Sequence, residues 1–280
     1  MINPFPDKTN VNPRPIGVFD SGLGGLTVVK QLMVHLPRES IIYFGDTARV
    51  PYGTKSPETI QKYAIEIARF LQTQGVKLIV VACNTVSSVA MEEVKAVSTV
   101  PVVGVIEPGA RAALAQSTGK RIGVIGTSAT VSAGKYTVVL QTMDSAVMVY
   151  SQACPLFVPL VEEGWIDNRI TEMVARVYLE PLARQSIDTL ILGCTHYPII
   201  KNTIRKVLDG NIAIVDSAVQ TALEVRRQIS VNGLANITGK TADYRFYVSD
   251  FPQRFEEIAR RLLGQSLSNI QRISLDHCHP

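Results

Sequence analysis

Two cysteines in this chain end apolar runs in the same way, and polar residues follow each of them at once. Cys83 closes the run LIVVACNT (78–85), and Cys194 closes LILGCTHYP (190–198). A thiol placed just before a helix has a lowered pKa, because the helix dipole and free N–H groups favour the thiolate. We therefore expect both thiols to ionise near neutral pH, where they can accept or donate a proton.

A single cysteine at a strand end is usually a small buried hydrophobic residue. Here the first is followed by Asn84 and Thr85, and the second by Thr195 and His196. Side chains of these types cap a helix or bind an anion at its N-terminus. The matched settings favour a proton-transfer site over two packing positions.

The elements that must position these residues are apolar runs alternating with helical stretches. Buried runs in this order indicate parallel sheets covered on both faces, with ligands bound beyond the carboxyl ends of the strands. The sequence predicts strands at 15–19, 40–44, 77–82, 102–106, 121–125, 146–150, 188–193 and 211–215, and helices at 25–36, 57–74, 84–97, 167–185 and 217–231.

The same order of motifs occurs twice. PIGVFDSG (15–22) resembles RIGVIGTS (121–128), and the two cysteine runs resemble one another. Two copies of one unit usually pack about a pseudo-twofold axis. We therefore predict that the two cysteines face one another across a cleft.

The first predicted strand ends in FDSGLGGLTV, which imitates a dinucleotide fingerprint. It fails because Gly22, Gly24 and Gly25 give G-x-G-G, with Thr27 in the sixth position. A carboxylate and a hydroxyl, Asp20 and Ser21, suit an ammonium group or a thiol proton better than a pyrophosphate. The simpler alternative is a turn whose serine caps the next helix.

Two further segments hold candidate supporting groups. The loop FGDTARVPYGTKSPETI (44–60) contains Asp46, which could support the site or cap a turn. The segment CPLFVPLVEEGWID (154–167) holds Glu162, and we interpret Cys154 as structural. The tail DHCHP (276–280) is not expected to close a metal site.

Composition excludes several classes of function. The 280 residues are 46% hydrophobic and 19% charged with a net charge of +4, and no basic run predicts nucleic-acid binding. No apolar run approaches the roughly 18 residues of a membrane span, and the N-terminal segment lacks the apolar region of a secretory signal. Four cysteines are no disulfide framework, so we expect free thiols in the cytoplasm. Neither Walker A nor metalloprotease motifs occur, and no lysine lies in the strand-end clusters, so neither a metal nor a cofactor is expected.

Several motifs together resemble those of the glutamate racemases, in the cofactor-independent aspartate/glutamate racemase superfamily. They are GVFDSGLGGLTV, GDTARVPYG, ACNT, GVIEPGA, LGCTHYP and VDSA. The resemblance implies interconversion of L- and D-glutamate without a cofactor, supplying D-glutamate for peptidoglycan synthesis, and a possible homodimer. It implies an α/β fold of two pseudo-symmetric three-layer domains with mainly parallel sheets and the active site in the interdomain cleft. We predict one domain at 1–102 plus 214–280 and the other at 103–213.

The resemblance also assigns roles to residues of this chain. It implies that Cys83 and Cys194 are the catalytic pair, and that Asp46 and Glu162 assist proton transfer. The residues implied to contact substrate are Asp20, Ser21, Tyr52, Gly53, Asn84, Thr85, Thr195 and His196.

This chemistry explains why the cluster occurs twice. Racemisation removes the α-proton from one face and returns a proton to the other, and two bases on opposite faces accomplish this. Since no cofactor takes up the charge, preorganised donors must stabilise the carbanion-like transition state. We expect the helix N-termini to bind the α-carboxylate, Asp20 to hold the ammonium, and His196 to tune Cys194.

Three alternatives stay open on the residues alone. One is a racemase for aspartate, or a related thiol lyase or isomerase acting on small diacids. Another is a two-lobed amino-acid sensor without catalysis, which would not need two matched thiols. A thiol-redox protein is disfavoured because the cysteines lie at separate strand ends.

Overall fold

The computed structural model of the chain describes residues 12–208, 212–238, 241–264, 266–267 and 269–275. The tail cysteine and histidines, predicted not to bind a metal, lie outside these ranges, as do the first eleven residues. Among the described residues, no helix is both long enough and apolar enough to cross a membrane.

The first of two sheets has six parallel strands. They are β1 (Ile16–Asp20), β2 (Ile41–Gly45), β3 (Leu78–Val81), β4 (Val102–Gly104), β9 (Tyr244–Val248) and β10 (Ile270–Arg272). Their spatial order is β10-β9-β2-β1-β3-β4. The register pairs Ile16 with Ile41 on one side and with Leu78 on the other, so β1 and its neighbours end at the same edge.

The second sheet repeats the centre of the first. Its parallel strands are β5 (Arg121–Gly126), β6 (Met148–Ala153), β7 (Thr189–Gly193) and β8 (Ala213–Asp216). Their order, β6-β5-β7-β8, matches β2-β1-β3-β4. The internal repeat predicted from sequence is therefore present as two copies of one sheet topology, in which β5 corresponds to β1 and β7 to β3.

Helices connect the strands on both faces of each sheet. They are α1 (Leu26–His35), α2 (Pro57–Thr73), α3 (Asn84–Val89), α4 (Met91–Val97), α5 (Ile106–Gln116), α6 (Ser128–Ser132), α7 (Lys135–Met143), α8 (Phe157–Glu162), α9 (Arg169–Ala183), α10 (Lys201–Val207), α11 (Ser217–Val231) and α12 (Pro252–Leu263). Short 3₁₀ turns span Tyr52–Thr54 and Tyr197–Ile200.

Alternate residues of each central strand enter different cores. Val18 of β1 packs in a core with helices α1, α11 and α12, whereas Phe19 packs on the opposite face in a core with α2 and α3. In the second sheet, Val124 and Ile125 of β5 likewise pack in two different cores, one on each face. Because both faces are buried, the strands are almost uniformly apolar, and each domain has the three layers that the sequence predicted.

Some elements differ from the prediction. The predicted helix 84–97 is interrupted at Ala90, whose φ of −135° lies outside the helical region, so that α3 and α4 are separate. The strand predicted at 102–106 ends at Gly104, because α5 begins two residues later. Strands β9 and β10 were not predicted. They extend only the first sheet and contain charged residues such as Arg245 and Arg272, which interrupt the apolar pattern.

The predicted domain boundaries, after residues 102 and 213, fall inside β4 and β8. Strand β4 belongs to the first sheet, and β8 belongs to the second. Sheet membership favours a division after Gly104 and after Asp216, and we propose these positions as the domain boundaries. The first domain then carries Cys83, and the second carries Cys194.

Candidate active site

Both cysteines border one cavity of about 280 Å³ between the two sheets. The first domain contributes Ser21, Val50, Pro51, Tyr52, Gly53, Thr54, Cys83, Asn84 and Thr85 to its walls. The second contributes Thr127, Ser128, Pro155, Val158, Pro159, Glu162, Cys194, Thr195 and His196. The carboxyl ends of β3 and β7 thus bring the two thiols to a shared space, as their equivalent positions in the repeat require.

The first thiol, that of Cys83, is buried beside a serine hydroxyl. Cys83 directly precedes α3, and its Sγ lies 3.6 Å from Ser21 Oγ. Burial raises the pKa of Cys83 to about 12, and the charge of Asp20 adds to the increase. Hydrogen bonds from Val86 N–H and with Ser21 lower it by less. The expected shift toward neutrality is therefore wrong for Cys83, because desolvation outweighs the helix terminus.

The second thiol lies beside a histidine and a carboxylate. Cys194 Sγ is 3.9 Å from His196 Nδ1, and His196 Nε2 is 3.1 Å from Glu162 Oε1. Burial lowers the pKa of His196, but its hydrogen bonds and the charges of Cys194 and Glu162 raise it to about 10. The pKa of Glu162 is lowered, since contact with His196 outweighs burial. Since this pKa of His196 lies above neutral pH, the imidazolium places a positive charge beside the Cys194 sulfur.

No α-helix begins directly after Cys194, which differs from the prediction. The residues that follow form the 3₁₀ turn Tyr197–Ile200, and α10 begins only at Lys201. Cys194 therefore does not lie at the N-terminus of an α-helix. It differs from Cys83 in having an imidazole beside it.

Asp20 lies behind the cavity wall rather than in it. It is fully buried and does not line the cavity. Its Oδ2 accepts from Gly22 N–H at 3.0 Å, and its Oδ1 accepts from the Thr195 hydroxyl at 3.3 Å. Burial raises the pKa of Asp20, although the charge of His196 opposes the shift. In this position Asp20 orients Thr195, and the predicted direct contact with a substrate ammonium has no support in its placement.

Asp46 also acts from behind the wall. Its Oδ2 accepts from the Tyr52 hydroxyl and from Arg49 Nε at 2.7 Å, and its Oδ1 accepts from Ser249 Oγ at 2.8 Å. Tyr52 does line the cavity. The carboxylate therefore fixes the loop that carries Tyr52. Of the two roles considered for Asp46, supporting the site and capping a turn, this placement favours the first.

Two glycines mark places where the domains approach closely. A Cβ on Gly53 would lie 2.7 Å from Thr127 Cβ, across the cleft. A Cβ on Gly24 would collide with the Thr195 hydroxyl and lie 2.5 Å from His196 Nδ1. The glycine-rich turn after β1 thus makes room for the opposite domain, which explains why it departs from a phosphate-binding fingerprint.

Asn84 and Thr85 occupy the first turn of α3, and second-domain side chains hold both of them. Thr85 Oγ1 is 3.0 Å from Thr127 Oγ1 and 3.2 Å from Thr130 Oγ1. Asn84 Oδ1 accepts from the Tyr136 hydroxyl at 2.7 Å. The helix cap position is Cys83, without a side-chain hydrogen bond, so the capping role considered for Asn84 and Thr85 is wrong.

Sequence reasoning missed three of these partners. Thr127 corresponds to Ser21 in the repeat, so comparing the two copies position by position would have found it. Thr130 and Tyr136 lie further along the chain, where the two copies no longer resemble one another. Among the described residues, no group of three or more His, Cys, Asp or Glu side chains is arranged to hold a metal.

Comparisons with known proteins bear on the family and the fold of this chain. A family model described as Asp/Glu/Hydantoin racemase matches residues 26–224. Glutamate racemase of Geobacter metallireducens is 47% identical over 263 residues, covering 94% of this chain and 97% of that protein. Glutamate racemase of Syntrophus aciditrophicus is 48% identical, covering 96% and 100%.

A solved structure shares the fold over nearly its whole length. The crystal structure of glutamate racemase from Francisella tularensis in complex with D-glutamate superposes with a TM-score of 0.89 at 44% identity, covering 94% of this chain and 98% of that one. The family model, the relatives and the shared fold lead to one conclusion: this chain belongs to the Asp/Glu/Hydantoin racemase family of isomerases.

Proposed function

We propose that this protein interconverts L- and D-glutamate by proton transfer between Cys83 and Cys194 and the substrate α-carbon. The observation that carries the proposal is the shared cavity, which one thiol borders from each domain. Relatives that are close to half identical over most of the chain are glutamate racemases, and this supports glutamate as the substrate.

The surroundings of the thiols suggest their resting protonation states. Burial keeps Cys83 as a neutral thiol, since its pKa is about 12. His196 is cationic at neutral pH, since its pKa is about 10, and it therefore holds a positive charge beside the Cys194 sulfur. Cys194 is then the base that removes the α-proton from one enantiomer, and Cys83 is the acid that protonates the opposite face. The Cα–H bond breaks as an S–H bond forms at Cys194, and the S–H bond of Cys83 breaks as a new Cα–H bond forms on the opposite face.

The reverse reaction starts from the exchanged protonation state. Cys83 as thiolate removes the proton from the other enantiomer, and Cys194 returns one. Because the two thiols differ in their surroundings, the states are not equal in energy. His196 lies between Cys194 and Glu162, so it can take part in proton exchange at the Cys194 sulfur.

The donors around the thiols would stabilise charge as the α-proton leaves. The first turn of α3 presents backbone N–H groups together with Asn84 and Thr85, and the second domain presents Thr195. Such donors bind the α-carboxylate and favour the developing enediolate-like charge in a site that excludes water.

Aspartate is the second candidate substrate, because the matching family model includes aspartate racemases by its description. Circular dichroism of L-glutamate and of L-aspartate, each incubated with the protein and a chelator but no cofactor, separates the two. Loss of the glutamate signal alone supports the proposal. Loss of the aspartate signal alone would replace glutamate with the shorter substrate.

The thiol roles have their own test in deuterium oxide. We expect wild-type protein to exchange the α-proton of both enantiomers during turnover. Full activity in a variant with both cysteines replaced by serine would end the two-thiol mechanism while leaving the substrate assignment intact.

Further proposals concern the setting in the cell. We propose that the product D-glutamate supplies peptidoglycan synthesis in the cytoplasm, and that the protein forms a homodimer. Growth of a D-glutamate-requiring bacterium on this gene without added D-glutamate tests the first. Sedimentation of the purified protein at several concentrations tests the second.

A further inference from the structure

The amide of Asn84 has one satisfied end and one free end. Its Oδ1 accepts the hydrogen bond from Tyr136, while its Nδ2 is buried and has no partner among the described residues. Asn84 is 2% exposed and lines the cavity. A buried N–H group without a partner costs free energy, so this donor is suited to a ligand acceptor in the cleft.

Tyr136 reaches Asn84 from the opposite domain. It lies on α7, is itself 2% exposed, and does not line the cavity. A Cβ on Gly193 would lie 3.2 Å from the Tyr136 ring, so the ring packs against the residue that precedes Cys194. Tyr136 therefore contacts the backbone beside one thiol and the side chain beside the other.

The repeat shows what this contact replaces. Asn84 and Thr195 are the residues that follow the two cysteines, and Thr195 is held by Asp20 at the end of β1. The position equivalent to Asp20 in the second copy is Gly126, which has no side chain to hold Asn84. Tyr136 fills that role from a different element.

We propose, building on the proposed function, that Tyr136 is a positioning residue that orients the Asn84 carboxamide with its NH₂ group toward the cleft to bind a substrate carboxylate. The Tyr136 hydroxyl hydrogen needs an acceptor, and of the two ends of the Asn84 amide the oxygen accepts whereas the NH₂ group donates. Donation by the hydroxyl therefore fixes which end of the amide faces the anion. Without the Tyr136 hydroxyl, the Asn84 amide can rotate so that its oxygen faces the substrate carboxylate. The negative carboxylate repels that oxygen, and binding weakens.

The test is steady-state kinetics of Tyr136→Phe, which removes the hydroxyl and keeps the ring. We expect KM for glutamate to rise about fivefold to tenfold, the size of one lost hydrogen bond, with a smaller change in kcat. The matched control is Tyr247→Phe. Tyr247 is 6% exposed, and its hydroxyl also donates to a side-chain amide oxygen, that of Gln74, away from the cleft. We expect the control to lose similar thermal stability and to keep KM.

A double-mutant cycle separates positioning from general destabilisation. If Tyr136 acts through Asn84, Tyr136→Phe adds no further increase in KM to Asn84→Ala. Asn84→Asp is the second variant: it keeps an oxygen for Tyr136 but removes the NH₂ donor, so KM should rise at least as much as in Tyr136→Phe.

Three results would overturn the inference. They are an unchanged KM in Tyr136→Phe, an equal KM increase in Tyr247→Phe, or additive effects in the double mutant. Each of these requires a wild-type protein that racemises glutamate. A wild type without that activity counts instead against the proposed function, so the two failures are distinguishable.

Discussion

The two halves of the cleft share a topology but not a chemistry. At the first end, the Ser21 hydroxyl is the one side-chain hydrogen-bond partner of Cys83 within the described part of the chain, and burial raises the pKa of Cys83 to about 12. At the second end, Cys194 lies beside His196, which is itself in contact with Glu162. Strand order and cysteine position are repeated, whereas the groups that set protonation are not.

The difference extends to how each end is held. Thr85 of the first end meets Thr130 of the second domain, and the equivalent contact at the second end is between His196 and the turn at Gly24. A larger side chain on one side is matched by a glycine on the other. This teaches that the repeat supplies two opposed positions for the thiols, whereas the side chains around each thiol differ between the two copies.

The largest expected effect comes from replacing either thiol. Cys83→Ser and Cys194→Ser should each lower racemisation by about 10³-fold, within the range for a lost acid–base group. Exchange of the α-proton in deuterium oxide, measured by NMR for each enantiomer, should survive for one enantiomer in Cys83→Ser and for the opposite one in Cys194→Ser. The same surviving enantiomer in both variants would contradict the assignment of opposite faces.

Next in size is the close approach at Gly24. Gly24→Ala forces Thr195 and His196 to move, so we expect a loss of about 1–3 kcal/mol in the free energy of unfolding. Chemical denaturation measures it. Gly109→Ala is the control, because a Cβ there meets nothing closer than 3.4 Å. Equal stability of the two variants would show that the turn at Gly24 can accommodate a Cβ atom without moving Thr195 and His196.

A smaller effect is expected at the carboxylate that contacts His196. Glu162→Gln removes a charge that raises the pKa of His196, so this pKa should fall by about two units. Because the imidazolium is lost at lower pH, the alkaline limb of kcat should move to lower pH, with about a tenfold loss at pH 9. Glu163→Gln is the control, since Glu163 pairs with exposed Arg254 instead. An unmoved alkaline limb would remove Glu162 from the proton path.

The smallest effect on kinetics is expected at Asp46, which accepts a hydrogen bond from Tyr52. Asp46→Asn keeps an acceptor but removes the negative charge between Tyr52 and Arg49, so KM should rise by roughly threefold, the size of one weakened hydrogen bond. The pH profile should not change, because Asp46 does not reach the thiols. A shifted profile would mean that Asp46 takes part in proton transfer at the first end.

The sequence predicted the parts of the site that local pattern determines. Cys83, Cys194 and Ser21 stand out because each follows a buried strand, and parallel strands end at one edge of a sheet. Tyr136 was missed because it lies on an amphipathic helix, where a tyrosine looks like any other core residue. The same limit hid strands β9 and β10, whose mixed residues form strands by pairing with neighbours distant in sequence, β9 with β2 and β10 with β9.

The sign of the Cys83 pKa shift also depends on more than local sequence. Its helix terminus is visible in the sequence and lowers the pKa, as expected. Its desolvation results from side chains brought in by both domains, and that contribution is larger. Asp20 shows the same dependence, since its carboxylate accepts a hydrogen bond from Thr195, far along the chain.

Side-chain hydrogen bonds between the two domains cross the cleft at both ends of the site. Thr85 depends on Thr127, and Thr195 depends on Asp20, so each domain completes the half that belongs to the other. A rotation that widened the cleft would break both sets together. Each sulfur keeps its own neighbours in such a rotation, since Ser21 shares a domain with Cys83 and His196 shares one with Cys194. The rotation would therefore separate the two thiols from one another without dismantling either end of the site.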